Sequence, residues 1–315
     1  MAELRVGTLA DDDMLCGPFE LRRERFARVR GAGLDHVFVA DHVSFHTGLG
    51  MDGLVQAAVV AGSDPELAIH VGVYLLALRH PVPVARQIST LCKSAPGRLV
   101  LGVGVGGEDR HEIEICGVDP RTRGRRTDAS LVALRGLLTG EPFSHRCEFF
   151  EFADAWIRPA PDPPVPILVG GRADAALRRA ARLGDGWLGV WTSARRFAEV
   201  VGRIEAEGAN RGVRWRHGLQ VWVGIDADRA RARERLAARM QGMYRIPFER
   251  FEKYSPYGSP AEIADFLAPY AAAGCTSLNV MAVAPSGEAA IAGVGEIRER
   301  LIETHARASG GPHRR

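Results

Sequence analysis

The sequence predicts a (β/α)8 barrel, an α/β fold of the TIM type, on three observations. Eight apolar, β-branched runs recur along its 315 residues, helical patterns separate most of them, and the units fill the chain without leaving a second domain. The runs are continuous rather than alternating, which is the pattern of parallel strands covered on both faces. A doubly wound sheet is the competing arrangement, and eight regular units disfavour it.

The strands are read at 4–9 (LRVGTL), 36–42 (HVFVADH), 68–76 (AIHVGVYLL), 98–106 (RLVLGVGVG), 165–171 (VPILVGG), 186–191 (GWLGVW), 218–225 (GLQVWVGI) and 276–283 (TSLNVMAV). Between them, FELRRERFARVRGAG ends in glycines, VPVARQISTLCKS follows His80-Pro81, and ADAALRRAARLGDG follows Gly170-Gly171. SPAEIADFLAPYAAAG opens with Ser259, Pro260 and Glu262 in capping-box spacing. About sixty residues separate the fourth strand from the fifth, far more than one helix and a loop need. TDASLVALRGLLTG reads there as a helix beginning near Asp128, and EFFEFADAWIRPAPDPPVP as extended, then proline-rich, chain. The expectation is one barrel domain over 1–306, an insertion at about 141–165 near the barrel mouth, and a disordered tail at 307–315.

Composition removes several classes of function. The five cysteines (16, 92, 116, 147 and 275) form no C-x-x-C and leave an odd count, which suits reduced thiols and no metal site. The longest apolar runs, such as Val71 to Leu78, are far short of a bilayer span, and the first residues lack a basic stretch followed by an apolar one. A soluble, cytoplasmic protein is expected, without membrane partners. Net charge is only +3, carried almost wholly by arginine. The one dense basic run, RTRGRR at 121–126, lacks interleaved aromatics and reads as a solvated or phosphate-facing loop rather than a nucleic-acid surface. LVQAAVVAG (54–62) is apolar around most of a helix, which implies burial beyond one face and predicts a homodimer.

LVLGVGVGGEDRHE, residues 99–112, matches G-x-G-x-x-G through Gly102, Gly104 and Gly107. A dinucleotide fingerprint belongs in the first βα turn with an acidic residue about twenty positions on. Here the glycines lie in the fourth strand and PRTRGRRTD follows, so the match is formal. Two readings stay open: glycines that let a flat ring or phosphate approach the strand, or alternate glycines packed tightly inside the barrel. Barrel active sites form where strands end. Those ends carry Asp41 and His42, Gly72 to Tyr74, Gly106 to Glu108, Gly170 to Arg172, and Trp191. His42 suits proton transfer near neutral pH, or simply walls the site. Gly170, Gly171 and Arg172 directly precede a helix and form a natural phosphate seat. Arg79 and His80 face either the site or the surface, and Trp187 and Trp191 read as packing residues.

VADH, LLALRHPVPVARQISTL, RLVLGVGVGGEDRHEIEICGVDPRTRGRRTD and PILVGGRADAALRRAARLGDGW together resemble the luciferase-like monooxygenase superfamily, over residues 4 to about 283. The order GVD-x-R-x-R-x-R, helix, TG-x-P, FF-x-F, P-x-P-I-L-V-GG is particularly similar to its actinobacterial branch, which uses the deazaflavin coenzyme F-420. The resemblance implies a luciferase-like TIM barrel and hydride transfer between F-420 and a small organic substrate. The alternatives are an FMN-dependent monooxygenase using O2 and a noncatalytic flavin-binding protein. It further implies His42 and Glu108 as the catalytic groups, with Glu112, Asp109 or no carboxylate in place of Glu108 because of an extra glycine. The coenzyme would meet Asp41, Gly72, Val73, Tyr74, Gly104, Gly106, Gly107, Gly170, Gly171 and Arg172, with a cis peptide expected at Gly72-Val73. The family's sugar-phosphate dehydrogenases carry a tryptophan where this chain has His46, so their substrate is not carried over.

Overall fold

The computed structural model describes residues 4–46, 48–107 and 109–309, and only the backbone over 305–309. The first half of the chain runs β1 (Arg5–Leu9), α1 (Asp12–Cys16), α2 (Phe19–Gly31), β2 (His36–Val39), α3 (Gly53–Ser63), β3 (Ala68–Tyr74), α4 (Pro81–Ser94), β4 (Leu99–Val103), α5 (Arg110–Ile115) and α6 (Arg123–Leu137). There follow β5 (Phe143–Arg146), β6 (Glu151–Ala155), β7 (Ile167–Gly170), α7 (Asp174–Leu183), β8 (Gly186–Val190), α8 (Ala194–Glu207), β9 (His217–Ile225), α9 (Arg229–Tyr244), β10 (Tyr257–Gly258), α10 (Pro260–Ala272), β11 (Cys275–Val283) and α11 (Gly287–Ser309).

All eight runs read as strands are strands. They lie in one sheet in the order β10-β9-β11-β1-β2-β3-β4-β7-β8, and β9 also pairs with β8. The fold is the (β/α)8 barrel. Register is parallel where pairs are defined, as in Val6 opposite Leu278 and Gly7 opposite His36. Every residue of β2 and of β7 is buried, which is why these segments read as unbroken apolar runs.

Helix starts follow the polar residues that precede them. Asp52 accepts the amides of Leu54 and Val55 for α3, and Asp228 those of Ala230 and Arg231 for α9. His80 caps α4 with Pro81 at its first position. The expected capping box of Ser259 and Glu262 is formed at α10.

Three expectations need correction. Helix α6 starts at Arg123, five residues before Asp128, so most of RTRGRR lies in its first turn and not in a loop. The insertion is no plain extended chain: β5 and β6 form an antiparallel hairpin, with Phe143, Phe150 and Phe152 clustered on it. Helix α11 continues through Ser309, so 307–309 are helical, while 310–315 lie outside the described residues.

The chain divides into two compact units. One holds the described residues up to Phe38, Gly189–Ala206 and those from Arg216 onward. The other holds Val39–Leu188 with Glu207–Trp215. In the first, Phe38, Trp222, Leu236, Met240, Phe248, Phe251 and Met281 form a core cluster. Trp191 joins it edge-on to Tyr244 at 5.2 Å, and Trp222 Nε1 donates to the Tyr244 hydroxyl at 3.0 Å. A cavity of about 340 Å³ opens beside this cluster, lined by Leu9, Trp222, Arg239, Met281 and Val283 among others. No helix among the described residues is long and apolar enough to cross a membrane. All five cysteines are free thiols.

Candidate active site

The second unit contains every described site residue that the sequence singled out, Trp191 excepted. Asp41, just past β2, is buried and fully engaged. Its Oδ1 accepts the Gly53 amide and its Oδ2 the Leu75 amide, both at 2.8 Å. Arg79 donates to both oxygens at 2.8 Å, and also to Asp52 at 2.9 Å. Burial raises the Asp41 carboxyl above its ordinary value, against the pull of Arg79 and the two amides. Burial likewise opposes the Arg79 charge, but Asp41, Tyr74 and Asp52 together outweigh it and the guanidinium is held more firmly than in water. Asp41 is therefore the bolt between the β2 exit, the start of α3 and the β3 exit. Its carboxylate has no oxygen left over for the coenzyme contact expected of it. Arg79 covers the Tyr74 ring at 4.3 Å, and burial pushes that phenol's pKa up.

His42 is the group this bolt presents. Its Nδ1 lies 3.2 and 3.1 Å from the two oxygens of Glu112, a carboxylate whose side chain is 3% exposed. Glu112 Oε1 also accepts the amides of Val43 at 2.7 Å and Ser44 at 3.1 Å. One helical turn earlier, Asp109 caps α5 through the His111 amide and accepts the His46 amide at 2.6 Å. Two carboxylates of α5 thus latch the loop after β2, and the Phe45 ring fills the space between His42 and His46 at 4.2 and 4.0 Å. Glu108, the expected catalytic carboxylate, lies outside the described residues.

Gly72-Val73 is cis, as the resemblance implied. The β3–β4 register shifts between Val71 and Tyr74, and the bulge turns Val73 toward β4 and β7. A Cβ on Gly104 would collide with Val73 Cγ2, and one on Gly170 would stand 3.0 Å from Val73 Cγ1. Between the two readings left open for the glycine strand, packing therefore explains Gly102 and Gly104: a Cβ on Gly102 would run into the Val71 carbonyl oxygen, and Gly104 is clear so that Val73 can fill the space above it. Gly106 and Gly107 differ in having φ of +68° and +137°, a turn that residues with a Cβ adopt poorly.

At the end of β7, Gly171 has φ of +113° and its carbonyl accepts Trp187 Nε1 at 2.7 Å. Ala173, at the N-cap of α7, provides no side-chain cap, so the first amides of the helix receive nothing from it. Arg172 is exposed at this entrance. The seat is built largely of backbone, with Asp174 in the first turn of the helix.

Two participants were missed or left undecided in the sequence. Arg79 lies within LLALRHPVPVARQISTL, but nothing in that stretch marks Asp41 as its partner. Glu112 did carry a signal: Asp109-x-x-Glu112 has capping-box spacing, which starts a helix there and places both carboxylates on the turn after the glycine strand. In the structure Asp109 caps, while Glu112 reaches the β2 loop instead.

An uncharacterized protein of Mycobacterium tuberculosis is 39% identical over 138 residues, 44% of this chain and 47% of that protein. An F-420-dependent glucose-6-phosphate dehydrogenase of Beutenbergia cavernae is 34% identical over 218 residues, 64% of this chain and 63% of that protein. The chain thus spans about half to under two thirds of these relatives. Among solved structures, an F-420-dependent secondary alcohol dehydrogenase in complex with an F-420–acetone adduct superposes with a TM-score of 0.81 at 19% identity, covering 95% of this chain and 99% of the other. The model of the luciferase-like monooxygenase family matches residues 19–301, and the chain belongs to that family.

Proposed function

We propose that the protein is an oxidoreductase that transfers a hydride between coenzyme F-420 and a small organic substrate. The observation that carries this reading is the His42–Glu112 pair, held at the exits of β2 and β4 in the same unit as the Val73 bulge and the backbone seat at Gly170–Arg172. The named activities of the relatives support it.

The residues present fit such a coenzyme. Gly171 and the start of α7, where Ala173 provides no side-chain cap, offer backbone amides to a phosphate, with Arg172 beside them. Val73, backed by Gly104 and Gly170, presents an apolar surface to a flat ring. When bound, F-420 supplies a ring carbon that accepts or gives a hydride. The chain's own part is the proton. Glu112 fixes Nδ1 of His42 as the donor to its carboxylate, which leaves Nε2 to take a proton from a substrate hydroxyl, or return one to a carbonyl oxygen. Glu112 also offsets the charge the imidazole acquires. Buried Asp41 and partly buried Arg79 hold the loop so that this geometry precedes substrate binding.

We further propose a homodimer, because Leu49 and Val55 are 71% and 60% exposed on the loop before α3 and on α3 itself. The function is tested by following F-420 absorbance with purified protein and a panel of alcohols, aldehydes and sugar phosphates under argon and in air. Turnover independent of oxygen supports hydride transfer. Oxygen uptake supported by reduced FMN, with F-420 inert, supports the monooxygenase instead, and tight coenzyme binding with no turnover a noncatalytic role.

A further inference from the structure

The basic run at 121–126 is sorted by its surroundings. Arg121 pairs with Asp119 and Arg125 with Glu148, both at 2.9 Å on the surface. Arg123 and Arg126, three apart and so on one face of the first turn of α6, have no carboxylate partner among the described residues. Arg123 lies against the Gly106–Gly107 turn, its Nη2 3.5 Å from where a Gly107 Cβ would stand. Its Nη1 donates to the Pro120 carbonyl, and its buried Nε has no partner. Arg126 Nε donates to the Ala77 carbonyl at 2.8 Å, between β3 and α4, and the guanidinium sits 5.6 Å from the Phe149 ring. His80 nearby is pushed below its ordinary pKa by burial and by Arg126. Two partly buried guanidiniums are thus held in place by carbonyls with no carboxylate matched to them among the described residues, an arrangement suited to an incoming anion. Arg179 of α7 donates to the Gly124 carbonyl at 3.0 Å and to Asp128 at 2.6 Å, which ties α7 to the first turn of α6.

We propose that Arg123 and Arg126 form a second anion seat that takes a carboxylate of the oligoglutamate tail of F-420, beyond the phosphate seat at Gly170–Arg172. The proposal rests on the F-420 reading above. FMN ends at its phosphate and fills only one of the two seats, so the arginine pair selects the longer coenzyme.

The test is a fluorescence titration with three probes: F-420 bearing its glutamates, the glutamate-free form that keeps the phosphate, and FMN. The wild type is expected to bind F-420 about tenfold more tightly than the glutamate-free form, a difference that added salt reduces. Arg123→Gln/Arg126→Gln brings F-420 down to the affinity of the glutamate-free form, whose own affinity stays unchanged, and Arg121→Gln alters neither. If the double variant does not fold, Arg126→Gln alone closes about half of that gap on a logarithmic scale. Equal wild-type affinities for both forms, or variants that weaken both alike, overturn the tail seat alone. Binding of neither form overturns the coenzyme reading and the tail seat with it.

Discussion

His42 and Glu112, seventy residues apart in the chain, meet at 3.1 Å between Nδ1 and Oε2. Because Glu112 also holds the Val43 and Ser44 amides, a glutamine can keep the loop while changing what faces the imidazole. Its amide oxygen still accepts the two backbone donors, and its NH2 turns toward Nδ1, reversing the ring's tautomer. Glu112→Gln is expected to lower kcat by about 10²-fold or more and to leave the coenzyme dissociation constant within about threefold. Steady-state kinetics beside a binding titration separates the two. Unchanged kcat would remove the pair from the chemistry.

Asp41 and Arg79 make a stability prediction. Asp41→Asn leaves a guanidinium that is 17% exposed facing a neutral amide, and should cost about 3–5 kcal/mol in urea unfolding. Asp41→Asn/Arg79→Met should be less damaging than the single change, since the guanidinium that the single change leaves with Asp52 alone is gone. A double variant worse than the sum of the singles contradicts the bolt.

Val73 and Gly104 make a packing prediction. Gly104→Ala drives a methyl group into Val73 Cγ2 and should cost about 1–3 kcal/mol. Adding Val73→Ala removes the obstacle, so the double variant should be more stable than the two single losses sum to. Strict additivity in a double-mutant cycle would show that the two residues do not meet.

Acid sensitivity follows from two buried imidazoles. Burial pushes His36 down to about 4, against its hydrogen bond to Asn279, and pushes His217 down to about 4 as well. Unfolded, each has a pKa near about 6.5. Their contribution to stability is complete above that value and is lost as pH falls toward 4, because the unfolded chain takes up protons first. Between pH 7 and pH 5 unfolding free energy should fall by about 1–2 kcal/mol per histidine. His36→Asn should lose less over this interval, and equal wild-type stability at the two pH values would contradict the assignment.

The strands were legible because parallel strands between helices must be apolar throughout, so β2, β3, β4 and β7 stand out against charged helices. The helix caps were legible because a cap is local. What could not be read were contacts between distant segments. Arg79 matters through Asp41, thirty-eight positions away, and no periodicity encodes that meeting. Glycine in β4 reads the same whether a ligand or a side chain needs the room, and only the placement of Val73 decides it. The start of α6 was read late because RTRGRR has little apolar periodicity, although its arginines belong to a first helical turn. The hairpin of the insertion was missed because its aromatic residues pack on one another, which an extended-chain reading does not capture.

The most direct measurement is a titration of the purified protein with oxidised F-420 and, in parallel, with FMN, read by fluorescence and checked by equilibrium dialysis. Saturable one-to-one binding of F-420, with FMN binding at least about tenfold more weakly, is the expected result. Stoichiometric retention of FMN together with no measurable F-420 binding contradicts the account.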